Sequence, residues 1–298
     1  MQKTDITRGS LGGYSSVKYE FNSIPEFVSF ILKEIGSQKE ASESLSGGQE
    51  DWYDNETCKV SCTKALIGDQ SLVAESEEFL NKMHYETELE LPMWRNDVVG
   101  YIPDVPSFLS GNPECMRIRG PEVSDRAPIN VYVSLCVSGG VSVQTLKNRG
   151  LAVLALIREL SQVRPVKLFF FSEGASFGGR GLTLQLIDAS DSLHSISVAA
   201  YCLTSAGFYR NTLLGIDMIK QDSGGQWAYQ TYGKDLWNCN SKYRKHIAGL
   251  IGAGENDLII PPVFMYDPDV KLLKNNPSDW VQRELNRFMH KENRLETV

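Results

Sequence analysis

Aromatic and basic residues are interleaved in a run near residue 240. Trp227, Tyr229, Tyr232, Trp237 and Tyr243 alternate with Lys234, Lys242, Arg244, Lys245 and His246, and Gly224, Gly225 and Gly233 give the backbone freedom around them. Aromatic faces stack on unpaired bases while cations follow the phosphates, so this interleaving suits a single strand of nucleic acid. Trp237, Lys242, Tyr243, Arg244 and Lys245 are the candidate contacts. The plainer reading is that the aromatics pack internally and the cations line a solvated helix face.

A second candidate is the turn Ser138-Gly139-Gly140-Val141-Ser142, which follows an apolar run and precedes a helical one. A strand end, small residues and a helix start leave backbone N–H groups open, and such groups attract anions. The turn lacks the G-x-x-x-x-G-K-[ST] and G-x-G-x-x-G spacings that fix a nucleotide's phosphates. Ser138, Gly139, Gly140 and Ser142 are therefore a candidate anion-binding turn and nothing more specific.

Thiols and imidazoles are scattered. The six cysteines stand at 58, 62, 115, 136, 202 and 239, and the four histidines at 84, 194, 246 and 290. Cys58 and Cys62 would share a helical face, but a zinc site needs a further close pair. Buried reduced thiols are the expectation, with no metal and no cofactor. Asn112-Pro113-Glu114-Cys115 has no histidine near it in sequence to serve as a base, and reads as a turn, a cap and a buried thiol. Asp188 and Asp191 read as loop carboxylates. No catalytic residue is assigned; an enzyme would need a site assembled from distant segments around Cys115 or Ser138.

The elements that must carry these groups belong to a large α/β chain. Of its 298 residues 42% are hydrophobic and 22% charged, ordinary globular proportions that allow one large domain or two modest ones. The net charge of −7 argues against non-specific coating of duplex DNA but leaves room for a local basic groove. Met1-Gln2-Lys3-Thr4-Asp5 has no apolar stretch behind its charges, and runs such as Leu151 to Ile157 are too short to cross a bilayer. A cytoplasmic location with no membrane partner is expected.

Val17 to Phe21 alternates as a strand, and Phe27, Phe30, Ile31 and Ile35 follow at helical spacing up to Gly36. Residues 37–56 turn to Ser, Gly and acid, a solvated loop. Helices follow near Thr57 to Ile67 and Ser71 to Met83, then a strand near Leu89 to Arg95 and a turn and short helix near Pro103 to Asn112. Ile129 to Val137 has little polar content, as in a strand covered on both faces. Leu146 to Leu160 is a long helix and Val166 to Phe171 a second buried strand, a unit that demands parallel strands and a right-handed crossover. Leu182 to Ile187 and Asp257 to Ile260 read as strands, and Leu193 to Leu203 and Tyr209 to Ile219 as helices. The C-terminal helix opens at Asn276-Pro277, with Trp280, Val281, Leu285 and Phe288 on one stripe.

The middle of the chain carries two resemblances. Cys136, Ser138 and Gly140, followed by a long helix, resemble the metal-binding strand end of von Willebrand A-type domains, which carry Asp-x-Ser-x-Ser. Cys136 stands where the Asp would be, so the resemblance implies a degenerate, metal-free version, because a divalent cation loses its charged anchor. Asn112-Pro113-Glu114-Cys115-Met116, the strand at Val131 to Val137, Gly140-Val141-Ser142 and Arg149-Gly150-Leu151-Ala152-Val153 are together similar to an uncharacterised family of tailed-bacteriophage proteins, over residues 95–190. That likeness implies a phage origin, hence a host cell's cytoplasm, and carries no activity.

The expected fold class is α/β, a three-layer mixed or mostly parallel sheet with flanking helices. A core near residues 125–265 is expected within a main domain spanning 57–298, joined through the acidic loop of 37–56 to a strand–helix segment over 1–36 that would pack on it. The expected function is that of a non-enzymatic accessory protein acting through macromolecular contacts in phage transcription or replication. Single-stranded DNA is the sharpest candidate partner, and a phage or host protein, bound by a von Willebrand A-like adaptor, is the alternative.

Overall fold

The computed structural model describes residues 2–6, 16–37, 56–82, 94–99, 102–119, 127–137, 140–175, 182–213 and 241–295. Along the chain, β1 (Gln2–Ile6) and β2 (Ser16–Phe21) precede α1 (Ile24–Ser37), α2 (Cys58–Ile67) and α3 (Ser71–Lys82). A short stretch then holds β3 (Trp94–Asp97), β4 (Ile102–Pro103), α4 (Val105–Leu109) and β5 (Met116–Arg119). The core follows as β6 (Ile129–Ser134), α5 (Val143–Val163), β7 (Val166–Ala175), β8 (Leu182–Asp188) and α6 (Ile196–Thr204). α7 (Ser241–Ile251), β9 (Leu258–Ile260), α8 (Pro268–Asn275) and α9 (Pro277–Leu295) complete it.

Six strands make the main sheet, in the spatial order β1-β2-β8-β7-β6-β9. β6 pairs in parallel with β7, from Ile129 opposite Val166 to Ser134 opposite Phe171, and in parallel with β9 on its other side. β7 and β8 are antiparallel, β8 and β2 parallel, and β2 and β1 antiparallel. The sheet is therefore mixed, with its apolar strand β6 flanked on both sides. The N-terminal segment extends this sheet by backbone pairing along β8 rather than only packing on it.

Side chains alternate across a strand, and here both faces are covered. Ile129, Val131, Val133, Leu168, Phe170 and Ile187 enter one large core with α1, α2, α5, α6 and the C-terminal helices. Tyr132, Phe171 and Leu184 face the other way and meet Ile247 and Ile251 of α7. Burying such an Ile contributes roughly 1.5–3 kcal/mol, which holds α7 to the sheet. Three layers result, as the apolar runs require.

Local sequence explains the helices that matter most. Ser142 caps α5, its Oγ accepting from the Thr145 N–H at 3.2 Å. The helix stops at Arg164 because Pro165 cannot continue it. Gly150 lets α5 cross α6 closely, since a Cβ there would overlap the Leu203 carbonyl oxygen. On α9, Trp280, Val281, Leu285 and Phe288 are all buried, and Arg283 grips Asp269 of α8 through two hydrogen bonds of 2.7 and 2.9 Å. Glu56, the last residue of the stretch expected to be a solvated loop, is instead buried among Ser61, Tyr201 and Ser205, with Lys64 2.8 Å from its Oε1.

Several elements differ from the sequence reading. The single helix expected over Leu193 to Leu203 is a 3₁₀ turn (Ser190–His194) and a separate helix starting after Ser195. Of the helix expected from Tyr209, a π-helical turn over Phe208–Leu213 lies within the described residues. β3, β5 and β4 form a separate three-stranded antiparallel sheet, and the strand expected near Leu89 to Arg95 begins at Trp94 among the described residues.

Candidate functional site

The chain lays down β6, β7 and β8 in one direction across the sheet, then crosses back to put β9 on the far side of β6. The adjoining ends of β6 and β9 are thus a topological switch point, where open α/β sheets leave a crevice outside the carboxyl ends of their strands. The two crossovers use opposite faces, α5 on one and α7 on the other.

Three segments meet this edge. The turn after β6 leads into α5, and the loop after β9 runs beside it, with Val263 N–H donating to Cys136 O at 3.3 Å. The π-helical turn contributes Arg210, whose Nη2 donates to Val141 O at 2.7 Å. α7 packs on the other face of the sheet through Ile247 and Ile251, and Asp257, just beyond its C-terminal end, accepts from Asn130 at the start of β6 at 3.0 Å. Its last turn therefore lies at the opposite edge.

Arg149 lies beneath the crevice. Leu146, Val153, Leu156 and Leu160 form a buried stripe on α5, and Arg149 fills one position of that stripe at 1% exposure. Its Nη2 donates to Ser134 O at 2.9 Å and to Pro261 O at 3.0 Å, tying the end of β6 to the residue after β9. Its Nη1 donates to the Tyr209 hydroxyl at 3.2 Å, which donates on to Leu203 O at 2.9 Å. Burial raises the Tyr209 phenol above its ordinary range despite the guanidinium beside it, so this link is a neutral hydroxyl. The Arg149 Nε has no hydrogen-bond partner, and no carboxylate pairs with the side chain among the described residues. A buried cation is costly without a counter-charge. Carbonyl dipoles supply part of the compensation, and the remaining positive potential lies under the turn.

The candidate residues are distributed as follows. Gly140 is exposed, and a Cβ there would meet the sulfur at the flexible end of the Met265 side chain in the neighbouring loop. Ser142 is spent as a helix cap, its Oγ 2.9 Å from Thr145 Oγ1; the first N–H groups of α5 have no carbonyl behind them. Ser138 and Gly139 lie outside the described residues. Lys245 is exposed on α7, Lys242, Tyr243 and Arg244 belong to that helix's first turn, and Trp237 lies outside the described residues.

The segments weighed for catalysis do not converge on this edge. Cys115 is half-buried in the small sheet, its carbonyl accepting from Asp104 N–H at 2.7 Å, and bonds to no histidine among the described residues. Cys136 is buried with its Sγ 3.6 Å from Ser172 Oγ. Cys58 and Cys62 are buried together on α2, and the Cys62 thiol holds Cys58 below its ordinary range. No group of three or more His, Cys, Asp or Glu among the described residues could hold a metal ion. Asp188 is the last residue of β8 rather than a loop residue, and accepts from Ser190 N–H at 2.9 Å at the opposite edge.

Arg149 and Arg210 are the contributors that reading by residue type passes over. The available signal was positional: an arginine three after Leu146 and four before Val153 sits in the apolar stripe of its helix.

Residues 3–275 match a family described as a domain of unknown function (DUF7192). No curated protein and no solved structure matches the chain. No helix among the described residues is long and apolar enough to cross a membrane.

Proposed function

We propose that this chain, which belongs to the DUF7192 family, is a non-enzymatic binding module that holds single-stranded DNA across the switch-point edge of its sheet. One observation carries the reading. The Gly140–Ser142 turn stands at the strand edge where the buried Arg149 ties Ser134 O to Pro261 O, with no carboxylate partner among the described residues. A turn that attracts a phosphate and a helix end carrying Lys242, Tyr243, Arg244 and Lys245 together provide what a single strand needs, positive potential beside aromatic surface.

The acidic chain as a whole fits this better than duplex binding. Stacking contributes roughly 1–3 kcal/mol per base, so a few contacts favour an unpaired strand without a strongly basic surface. Similarity to tailed-phage proteins extends the proposal to an accessory role in phage transcription or replication. Fluorescence anisotropy with a labelled oligonucleotide tests it: Trp237→Ala and Arg244→Glu each weaken binding, and duplex of the same sequence binds less well. Unchanged binding in both variants, or none by the wild type at low salt, contradicts the reading.

A second reading, a protein–protein adaptor on a von Willebrand A-like core, is favoured by a different observation. Val98, Val99, Val105, Phe108 and Leu109 are all exposed within the small-sheet region, and clustered exposed apolar side chains mark contact surfaces.

A further inference from the structure

We infer that the small sheet is a self-association surface, on which a second copy of this chain pairs along the edge strand β3 across a two-fold axis and covers the apolar side of α4. The inference goes beyond strand binding and does not depend on it. Residues 94–119 hold three strands and a helix, yet among their described side chains none is buried. α4 is built the reverse of a core helix. Its apolar residues Val105, Phe108 and Leu109 follow at i, i+3 and i+4, which places them on one face. Asn96 of β3 reaches the polar residues instead, its Nδ2 donating to Asp104 Oδ2 and to Ser107 Oγ at 3.3 Å each. With Val98 and Val99, just past β3, the three apolar residues of α4 are between 55 and 78% exposed. A helix with its polar side against the sheet and its apolar side outward marks a contact surface.

Charge and strand order identify the occupant. Residues 94–119 carry Arg95, Arg117 and Arg119 against Asp97, Asp104 and Glu114, a balance of zero in a chain of net charge −7. A strongly charged partner gains little from such a surface, whereas a copy of it can match each sign with the other. The order β3-β5-β4 leaves two edges among the described residues. β4 is the poorer template, being two residues long and ending in Pro103, which has no N–H to offer. β3 is the better one, and its sequence WRND selects a register. Antiparallel pairing of two identical strands about a two-fold axis centres on one residue, because residues opposite each other share a face. Centring on Arg95 or on Asp97 sets like charges opposite one another. Centring on Asn96 sets Arg95 opposite Asp97 twice, and joins the two small sheets into one of six strands.

Sedimentation velocity of the full chain, over a series of concentrations and without nucleic acid, tests this. The wild type is expected to pass from monomer to dimer as concentration rises. Arg95→Asp places acids opposite acids at both pairs and weakens the dimer about tenfold. Adding Asp97→Arg to that variant exchanges the signs, sets unlike charges opposite again and restores wild-type association. Leu109→Glu weakens the dimer as well, and because Leu109 is exposed its far-UV circular dichroism and monomer sedimentation coefficient match the wild type. A wild type that stays monomeric at every concentration overturns the inference and leaves the patch to a different protein. A dimer that Leu109→Glu leaves intact overturns it too, by placing the contact elsewhere on the molecule. A dimer indifferent to Arg95→Asp, or one that the double exchange fails to restore, overturns the pairing along β3.

Discussion

Arg149 and Gly150 are neighbours whose side-chain positions serve opposite ends. Arg149 reaches out of the apolar stripe of α5 to two strand ends, whereas Gly150 is where α5 and α6 come closest. By residue type the first reads as surface and the second as a weak spot in a helix; their positions in the 3.6-residue repeat correct both readings. Gly150→Ala forces a methyl into the Leu203 carbonyl and the Thr204 methyl. Overpacking of this kind costs about 1–3 kcal/mol, measurable as a lowered urea midpoint with an unchanged slope. Wild-type stability in that variant would mean that the two helices are not packed as closely as described.

Elements held by long-range pairing were the hardest to read, and those with their own pattern the easiest. β6, α5, β7 and α9 each carry an apolar run or stripe that decides their type. β1, with the polar sequence QKTDI, and β5, MRIR, have no such pattern and exist because a neighbouring strand offers hydrogen bonds. Junctions depend on single polar groups. Between α2 and α3, Lys64 lies 2.7 Å from Asp69, and Asp69 accepts from Ser71 N–H at 3.0 Å and Ser71 Oγ at 2.6 Å. Lys64, then Ser71, hold the Asp69 carboxyl down at about 2. A carboxyl with a depressed folded-state pKa stabilises the fold above its unfolded value near pH 4, and that contribution is lost as pH falls toward 2. Asp69→Asn is therefore expected to melt below the wild type at pH 6, with the gap closing by pH 2. A gap that stays constant across that range would separate Asp69 from any charge-dependent role at this junction.

Across the whole molecule, the strand order makes a site out of separate features. The sequence identifies a strand–helix–strand unit, but which side of β6 receives β9 depends on the face taken by each crossover, and no local pattern records that choice. Likewise the anion-attracting turn and the aromatic–basic run are legible one by one, while no local pattern relates either to a particular strand edge. The buried Arg149 was illegible for the same reason: its partners, Ser134 O and Pro261 O, are backbone atoms brought together by β6–β9 pairing. The central claim is that this edge, and not the small sheet or the opposite edge, receives a single strand of DNA. Hydrogen–deuterium exchange of the full chain with and without saturating oligothymidylate tests it most directly. Slowed exchange is predicted in peptides covering 134–149, 241–247 and 261–267, with 94–119, 188–195 and 254–257 unchanged; unaltered exchange at the first three, or protection confined to 94–119, would contradict the account.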